Sequence, residues 1–406
     1  MKTRLIIGSW ISYDLGNTLF TTGVVGLVFP LWLTGPMGGT DGTLGYLMAT
    51  SMAALFFLAP LSGAVSDAYG TRMPFLLCVT SICLVSTFLI GEFGYLVSLM
   101  LFGCSVISSQ LAVIFYNGNL EDISSSKDVG RIGGLGVGIG YFGAILAVVI
   151  SLVFLDSNGE LLVFKIMAGS MFLFNLPLMF IGRYKRAIIS DLSFFNICHN
   201  AFFDAIKTIS ASRDDRNWIR FLIARFWYFW AANTAATFAI IYAIQTVGLS
   251  KTEVQYVLLL GILFGIPSGI IWGLIVDKVG AFPVLKINVT GWLFILVAGL
   301  LIPLMKLPTY SWWPVGIASG IFMAGLYVSE RPFILQKAPA NKVGQYFAMY
   351  SMVSRASAIF GPFTWGLISH TLTLGQITAV FSIVLCAGNA QKIFLKPSDR
   401  VVKNSC

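Results

Sequence analysis

Apolar residues fall in blocks of about 20 along almost the whole chain, and a block of that length crosses the hydrocarbon core of a bilayer as a helix. The pattern predicts twelve such spans, at 8–33, 44–66, 74–92, 95–117, 132–155, 161–182, 218–247, 253–276, 283–304, 312–334, 345–369 and 373–394. Turn-rich or charged breaks separate them, among them GPMGGTDG at 35–42, SDAYGTR at 66–72, EDISSSKDVGR at 121–131 and DKVGAF at 277–282. The longest break, 183–217, differs in kind. Within it Leu192, Phe195, Phe202, Ile206 and Ile209 recur at near-helical spacing among Asp191, Asp204 and Lys207, which predicts a helix lying on the inner membrane surface or under the bundle. The chain therefore divides into a six-helix bundle (1–182), a connector (183–217), and a second six-helix bundle with a short tail (218–406).

Composition excludes a soluble all-α protein. Hydrophobic residues make up 57% of the chain and charged residues 11%, where a soluble domain carries about 25% charged residues. The net charge of +9 is not a nucleic-acid footprint, because the basic residues gather in breaks of one parity. Lys2, Arg4, Arg72, Lys127, Arg131, Arg183, Lys278 and Lys342 lie on one side, against Lys165, Lys251 and Lys306 on the other. That bias places both termini and the connector in the cytoplasm of a multi-pass protein of the cell membrane. The first span is too polar and too long for a removable signal peptide and is expected to stay in the mature protein. The six cysteines are scattered, with neither metal-ligand spacing nor a disulfide framework. There are two histidines and no phosphate loop of the Gly-Lys-Ser/Thr type, so no metal, cofactor or enzymatic activity is expected.

The exceptions to apolarity within the spans mark the candidate chemistry. Asp14, Asn17 and Thr21 share one face of the first span, flanked by Thr18 and Thr22. A carboxylate there is costly unless it faces a cavity or a partner. Asp14 can take a proton, accept a substrate ammonium or pair with an internal arginine; a structural charge pair near the inner interface is the competing role. Asn233, Thr234 and Thr237 in span 7 mirror this stripe. Tyr116 and Asn117, near the end of span 4, are further polar candidates. The basic candidates are Arg225, which can snorkel from the start of span 7, Arg331, a gating or interface residue beside Glu330, and Arg355, the deepest. Arg355 can bind a substrate carboxylate, neutralise Asp14 or Glu330, or serve a structural ion pair. Gly134, Gly136, Gly138, Gly140 and Gly143 give span 5 overlapping Gly-x-x-x-Gly pairs for close helix packing.

The two halves echo each other. Gly63, Asp67 and Gly70 after span 2 recur at a constant offset as Gly273, Asp277 and Gly280 after span 8. Glycine allows close helix approach, and the aspartate can cap a helix or pair with a base such as Arg72, forming a latch that breaks as the conformation changes. This duplicated loop resembles the signature loop of the major facilitator superfamily, with fewer basic residues than the family pattern. Trp10, Tyr13, Asp14, Asn17, Phe20 and Thr22 are similar to the first span of its UMF1 subfamily, related to the fungal vacuolar amino-acid effluxers. Tyr116-Asn117 with Gly130-Arg131, and Arg331, Tyr346-Phe347, Tyr350, Arg355 and Gly361-Pro362, resemble two further regions of that subfamily. Where its pattern has an Asn-Asp pair early in span 7, this chain has Phe229-Trp230; Glu330 stands for a small residue and Arg355 for a lysine.

The resemblance implies a twelve-helix major facilitator fold in two pseudo-symmetric bundles. It implies a secondary transporter that moves a small polar solute, such as an amino acid, by alternating access. Protons are a candidate coupling ion, the lipid bilayer is the other partner, and a monomer is expected. A drug or sugar exporter of the same fold is the alternative within transporters, and a non-transporting membrane receptor the alternative outside them.

Overall fold

The computed structural model describes residues 2–68, 71–123, 129–181, 216–339 and 343–395. Helices cover nearly all of them. The first, α1, runs from Lys2–Leu19 through a wider π-helical stretch, Phe20–Val28, into Phe29–Thr34. Then come α2 (Asp41–Ala68), α3 (Met73–Phe88), α4 (Tyr95–Ile123), α5 (Val129–Asn158) and α6 (Glu160–Ile181). After the connector follow α7 (Arg216–Tyr242, with a π-helical end Ala243–Val247), α8 (Lys251–Val279), α9 (Ala281–Leu304) and α10 (Trp312–Lys337). The last two are α11 (Val343–Gly366, with a π-helical end Leu367–Thr371) and α12 (Gly375–Leu395). The connector helix expected within 183–217 lies outside the described residues except at its final two positions, which open α7.

Local chemistry explains the ends. A capping box starts α8: Ser250 Oγ accepts from the Glu253 amide, and the Glu253 carboxylate accepts from the Ser250 amide. Gly280, at a φ of 89° that favours glycine, ends it. Nine helices among the described residues are long and apolar enough to cross a membrane. Of the others, α3 is apolar but shorter, while α7 and α11 are diluted by arginines, serines and amphipathic aromatics.

In the first set, α1 packs on α5 and α6, α4 on α2 and α3, and α3 on α6. The pattern recurs six helices on: α7 packs on α11 and α12, α10 on α8 and α9, and α9 on α12. The sets meet where α2 lies against α11 and α5 against α8. The apolar core is not uniform along the bundle. At the end carrying loop 35–40, called here the first-loop end, one cluster joins both sets and includes Phe29, Trp32, Phe102, Phe238 and Trp365. Toward the opposite, terminus end the core divides. One cluster lies among α7–α12, around Trp218, Phe221 and Phe333; the other holds Trp10, Tyr13 and Tyr116.

Candidate functional site

The candidate polar groups lie on the helices that flank the divided core. Asp14 is half-buried on α1, against the glycine-rich face of α5: a Cβ added at Gly140 would lie 2.7 Å from Asp14 Oδ2 and 3.1 Å from Thr18 Oγ1. Glycine at 140 thus makes the room that the carboxylate occupies. Behind α1, Trp10 stacks on Tyr116 with ring centroids 4.3 Å apart, and Tyr13 stacks on Tyr116 at 5.1 Å. Trp10 Nε1 donates to the Tyr116 carbonyl at 3.1 Å, and the Tyr13 and Thr80 hydroxyls bond at 2.7 Å. Tyr116 therefore belongs to the aromatic brace that holds α1 against α4, and Asn117 beside it is exposed.

The polar stripes of α1 and α7 have the same local geometry. Thr21 donates to the Asn17 carbonyl at 2.9 Å, and Thr237 to the Asn233 carbonyl at 2.9 Å. Each hydroxyl is thereby tied to its own helix. Asn17 Oδ1 and Asn233 Nδ2 are buried without a partner among the described residues. A buried amide atom left unsatisfied invites a water or a ligand. Beyond these stripes, toward the first-loop end, lies a largely apolar cavity of about 390 Å³. Thr22, Gly26 and Tyr141 line it from the first set, facing Phe238, Trp292 and Trp365 of the second.

The basic candidates behave differently from one another. Arg225 is 1% exposed and pairs with Glu330, which is fully buried. The Glu330 carboxylate also accepts from the Tyr228 and Tyr350 hydroxyls, and Arg225 Nη2 donates to Ser354 Oγ at 2.6 Å. The guanidinium lies 3.6 Å from the Tyr350 ring centroid and 4.1 Å from that of Phe229. One network so joins α7, α10 and α11. It also answers the question about Arg355: Glu330 is taken by Arg225. Among the described residues, neither Asp14 nor Arg355 has an ion-pair or hydrogen-bond partner for its charged group. Arg331 is exposed.

The duplicated loops are described in part. Arg72 Nη1 donates to the Gly118 carbonyl of α4 at 2.8 Å. Gly63 is half-buried with open space at its Cβ position. The Asp67 side chain, Gly70 and the Arg131 side chain lie outside the described residues. In the second copy Gly273 faces Val328 at 3.9 Å, Asp277 is exposed, and Gly280 supplies the turn.

Bonds between the two sets gather at the first-loop end. Asp41 Oδ2 accepts from Trp365 Nε1 at 2.9 Å and from Gln376 Nε2 at 3.1 Å. Tyr46 bonds Thr371. On the other seam Lys251 pairs with Glu160 at 3.1 Å, and Gln255 donates to Ser151 at 2.8 Å. The sequence signalled Asp41 only as a turn residue, and it left Arg225 and Glu330 unjoined because 105 positions separate them.

Comparison with known proteins bears on this geometry. The sequence pattern of the Major Facilitator Superfamily matches residues 16–362. YxiO, an MFS-type transporter of Bacillus subtilis, is 23% identical over 395 residues, covering 93% of this chain and 91% of YxiO. Autophagy-related protein 22-2 of Aspergillus clavatus is 22% identical over 281 residues, which is 62% of this chain and 45% of that protein. Among solved structures, the nucleoside transporter NupG superposes with a TM-score of 0.72 at 13% identity, covering 97% of this chain and 98% of NupG.

Proposed function

The chain belongs to the major facilitator superfamily, and from that membership we propose that it is a secondary transporter of a small zwitterionic solute, such as an amino acid, working by alternating access. It is a transporter, not an enzyme. In this proposal all twelve helices cross the membrane as bundles 1–182 and 218–406, joined by a cytoplasmic connector, with both termini cytoplasmic. The first-loop end is then external. The undivided core and the cross-set bonds at that end support a conformation closed outside and open inside.

One observation carries the choice of solute. Asp14 on the first set and Arg355 on the second hold opposite charges that no described group compensates. Unpaired charge within a membrane bundle is costly unless water or a ligand meets it. A zwitterion presents its ammonium to Asp14 and its carboxylate to Arg355, with Asn17 and Asn233 as hydrogen-bonding neighbours. The resemblance to the UMF1 subfamily supports the same class. Asp14 is also the candidate proton site. The apolar cavity supports a second solute class, an uncharged drug-like molecule.

The test is flux of labelled amino acids into liposomes holding the purified chain, with and without a proton gradient. Uptake is expected in wild type and is expected to fall at least about tenfold in both D14N and R355A, the loss of one desolvated charge contact. Uptake of no amino acid, with uptake of an uncharged amphipath that both variants retain, moves the assignment to the second class.

A further inference from the structure

We infer that Glu330 sets the charge selectivity of the transport site by sequestering Arg225, so that α11 presents a single free cation, Arg355, to the solute. The inference rests on the zwitterion proposal above. Its observation is separate: among the described residues, α7, α10 and α11 hold the charges Arg225, Arg355 and Glu330, buried or half-buried, and the one carboxylate of the three is committed to Arg225.

The commitment is geometric. Glu330 is fully buried, and its two oxygens accept from Arg225, Tyr228 and Tyr350. Three donors hold the two oxygens in place, and Arg225 neutralises the charge that would otherwise draw Arg355. Two of the network's members sit on α11 before Arg355: Ser354 is its neighbour and Tyr350 lies one turn further back. They pin the turn from which Arg355 projects. Arg355 shares a helix face with Ile359, Pro362 and Gly366, at intervals of four, seven and eleven residues. Further along that face, the Pro362 carbonyl lies 2.6 Å from a Cβ built on Gly45, and Gly366 borders Gly42. The face that meets α2 at the closed end is thus the face that bears Arg355 where the core has divided. On α1, Asp14 and Thr18 likewise share a face with Thr22 and Gly26, which line the cavity between the sets. Each unpaired charge thus stands on a helix whose further turns meet the opposite set or line the cavity between the sets.

A buried ion pair confers little stability over an apolar packing of the same volume. A network of this cost is better accounted for by charge placement. With Glu330 present, α11 offers one positive charge, Arg355. Without it, Arg225 adds a second, adjacent to the first through Ser354. Arg225 and Glu330 are positioning residues in this scheme, and Arg355 makes the contact.

The test is uptake by the full chain in liposomes, with valine as an uncharged-side-chain zwitterion and glutamate as the same head group with an added carboxylate. Wild type is expected to favour valine. E330Q is expected to raise the glutamate-to-valine ratio of kcat/KM by about tenfold, the scale of one partly desolvated ion pair. R225Q acts the other way: the freed Glu330 competes for Arg355, and KM for valine rises by about tenfold. R225Q/E330Q removes both charges together and is expected to return ratio and KM toward wild type. A purely structural network would depress both probes in proportion in every variant, with no recovery in the double variant. That result overturns the inference while valine uptake keeps the zwitterion proposal standing. Should E330Q fail to fold, R225Q and the neutral pair decide the question by the same KM comparison. Wild type that moves neither probe overturns the zwitterion proposal, and the inference with it.

Discussion

Asp14 occupies a space that exists only because residue 140 has no side chain. A Cβ there would reach to 2.7 Å from Oδ2, the mobile end of a side chain, so the carboxylate can shift and the helices can stay. Gly140→Ala is therefore expected to leave thermal unfolding within a few degrees of wild type while lowering uptake by about tenfold, because displacing a binding group by a fraction of an ångström to an ångström costs that much or more. Equal losses of stability and uptake would mean that the contact is only packing. Asp14, Asn17 and Asn233 were legible in the sequence through contrast alone: each interrupts an apolar span. Tyr116 was legible as polar but not as part of an aromatic brace, since its stacking partners lie on another helix. The pairing of Arg225 with Glu330 was not legible. Both residues stand out as intramembrane charges, yet which arginine takes the carboxylate depends on how α7, α10 and α11 are rotated.

At the level of helices, the tightest association joins α8 to α10. Gly261, Gly265, Gly269 and Gly273 recur every fourth residue on α8, opposite Gly316, Gly320, Ala324 and Val328 on α10. A Cβ at Gly261 would lie 2.9 Å from the Gly316 carbonyl, and one at Gly320 would collide with the Gly261 carbonyl. Backbone cannot yield as a side chain can. Gly320→Ala is expected to destabilise by about 1–3 kcal/mol, the usual cost of overpacking, read as a lower midpoint in thermal unfolding. Gly388→Ala on α12 is the control: nothing lies within 4 Å of its Cβ position, and the helix gains propensity, so its midpoint should hold or rise. The glycines of α5 announced close packing, and Gly140 and Gly143 do meet α1 at Asp14 and Leu15. The stripe on α8 has the same spacing in the sequence. Spacing alone names a face of small residues and not the helix that will fill it.

At the level of the whole molecule, two seams close the first-loop end, and they are chemically unequal. On the α2–α11 seam a single carboxylate, Asp41, accepts from both Trp365 and Gln376. On the other seam the charged pair Lys251–Glu160, between the first residues of α8 and α6, is partly open to solvent, which weakens it. Asp41 is therefore the stronger fastening. A hydrogen bond to a charged group is worth about 1.5–3 kcal/mol when partly buried. Asp41→Asn keeps the shape and one acceptor oxygen but removes the charge, so the equilibrium is expected to move toward opening at this end by about tenfold. Spin labels at Thr40 and Thr373, which flank the seam from opposite sets, would read this as a longer-distance population that grows in D41N. E160Q should move the same distribution much less. An unchanged distribution in D41N would mean that the apolar core around Phe238 and Trp365 alone holds the end shut. The duplicated Gly-x-x-x-Asp-x-x-Gly loops lie at the other end, and in this conformation Asp277 is exposed and unbonded among the described residues. If those loops fasten the opposite state, Asp277→Asn leaves the label distances of wild type unchanged here but cancels part of the opening that D41N produces. The double variant D41N/D277N would then lie between wild type and D41N, and a distribution identical to D41N alone would remove Asp277 from the latch.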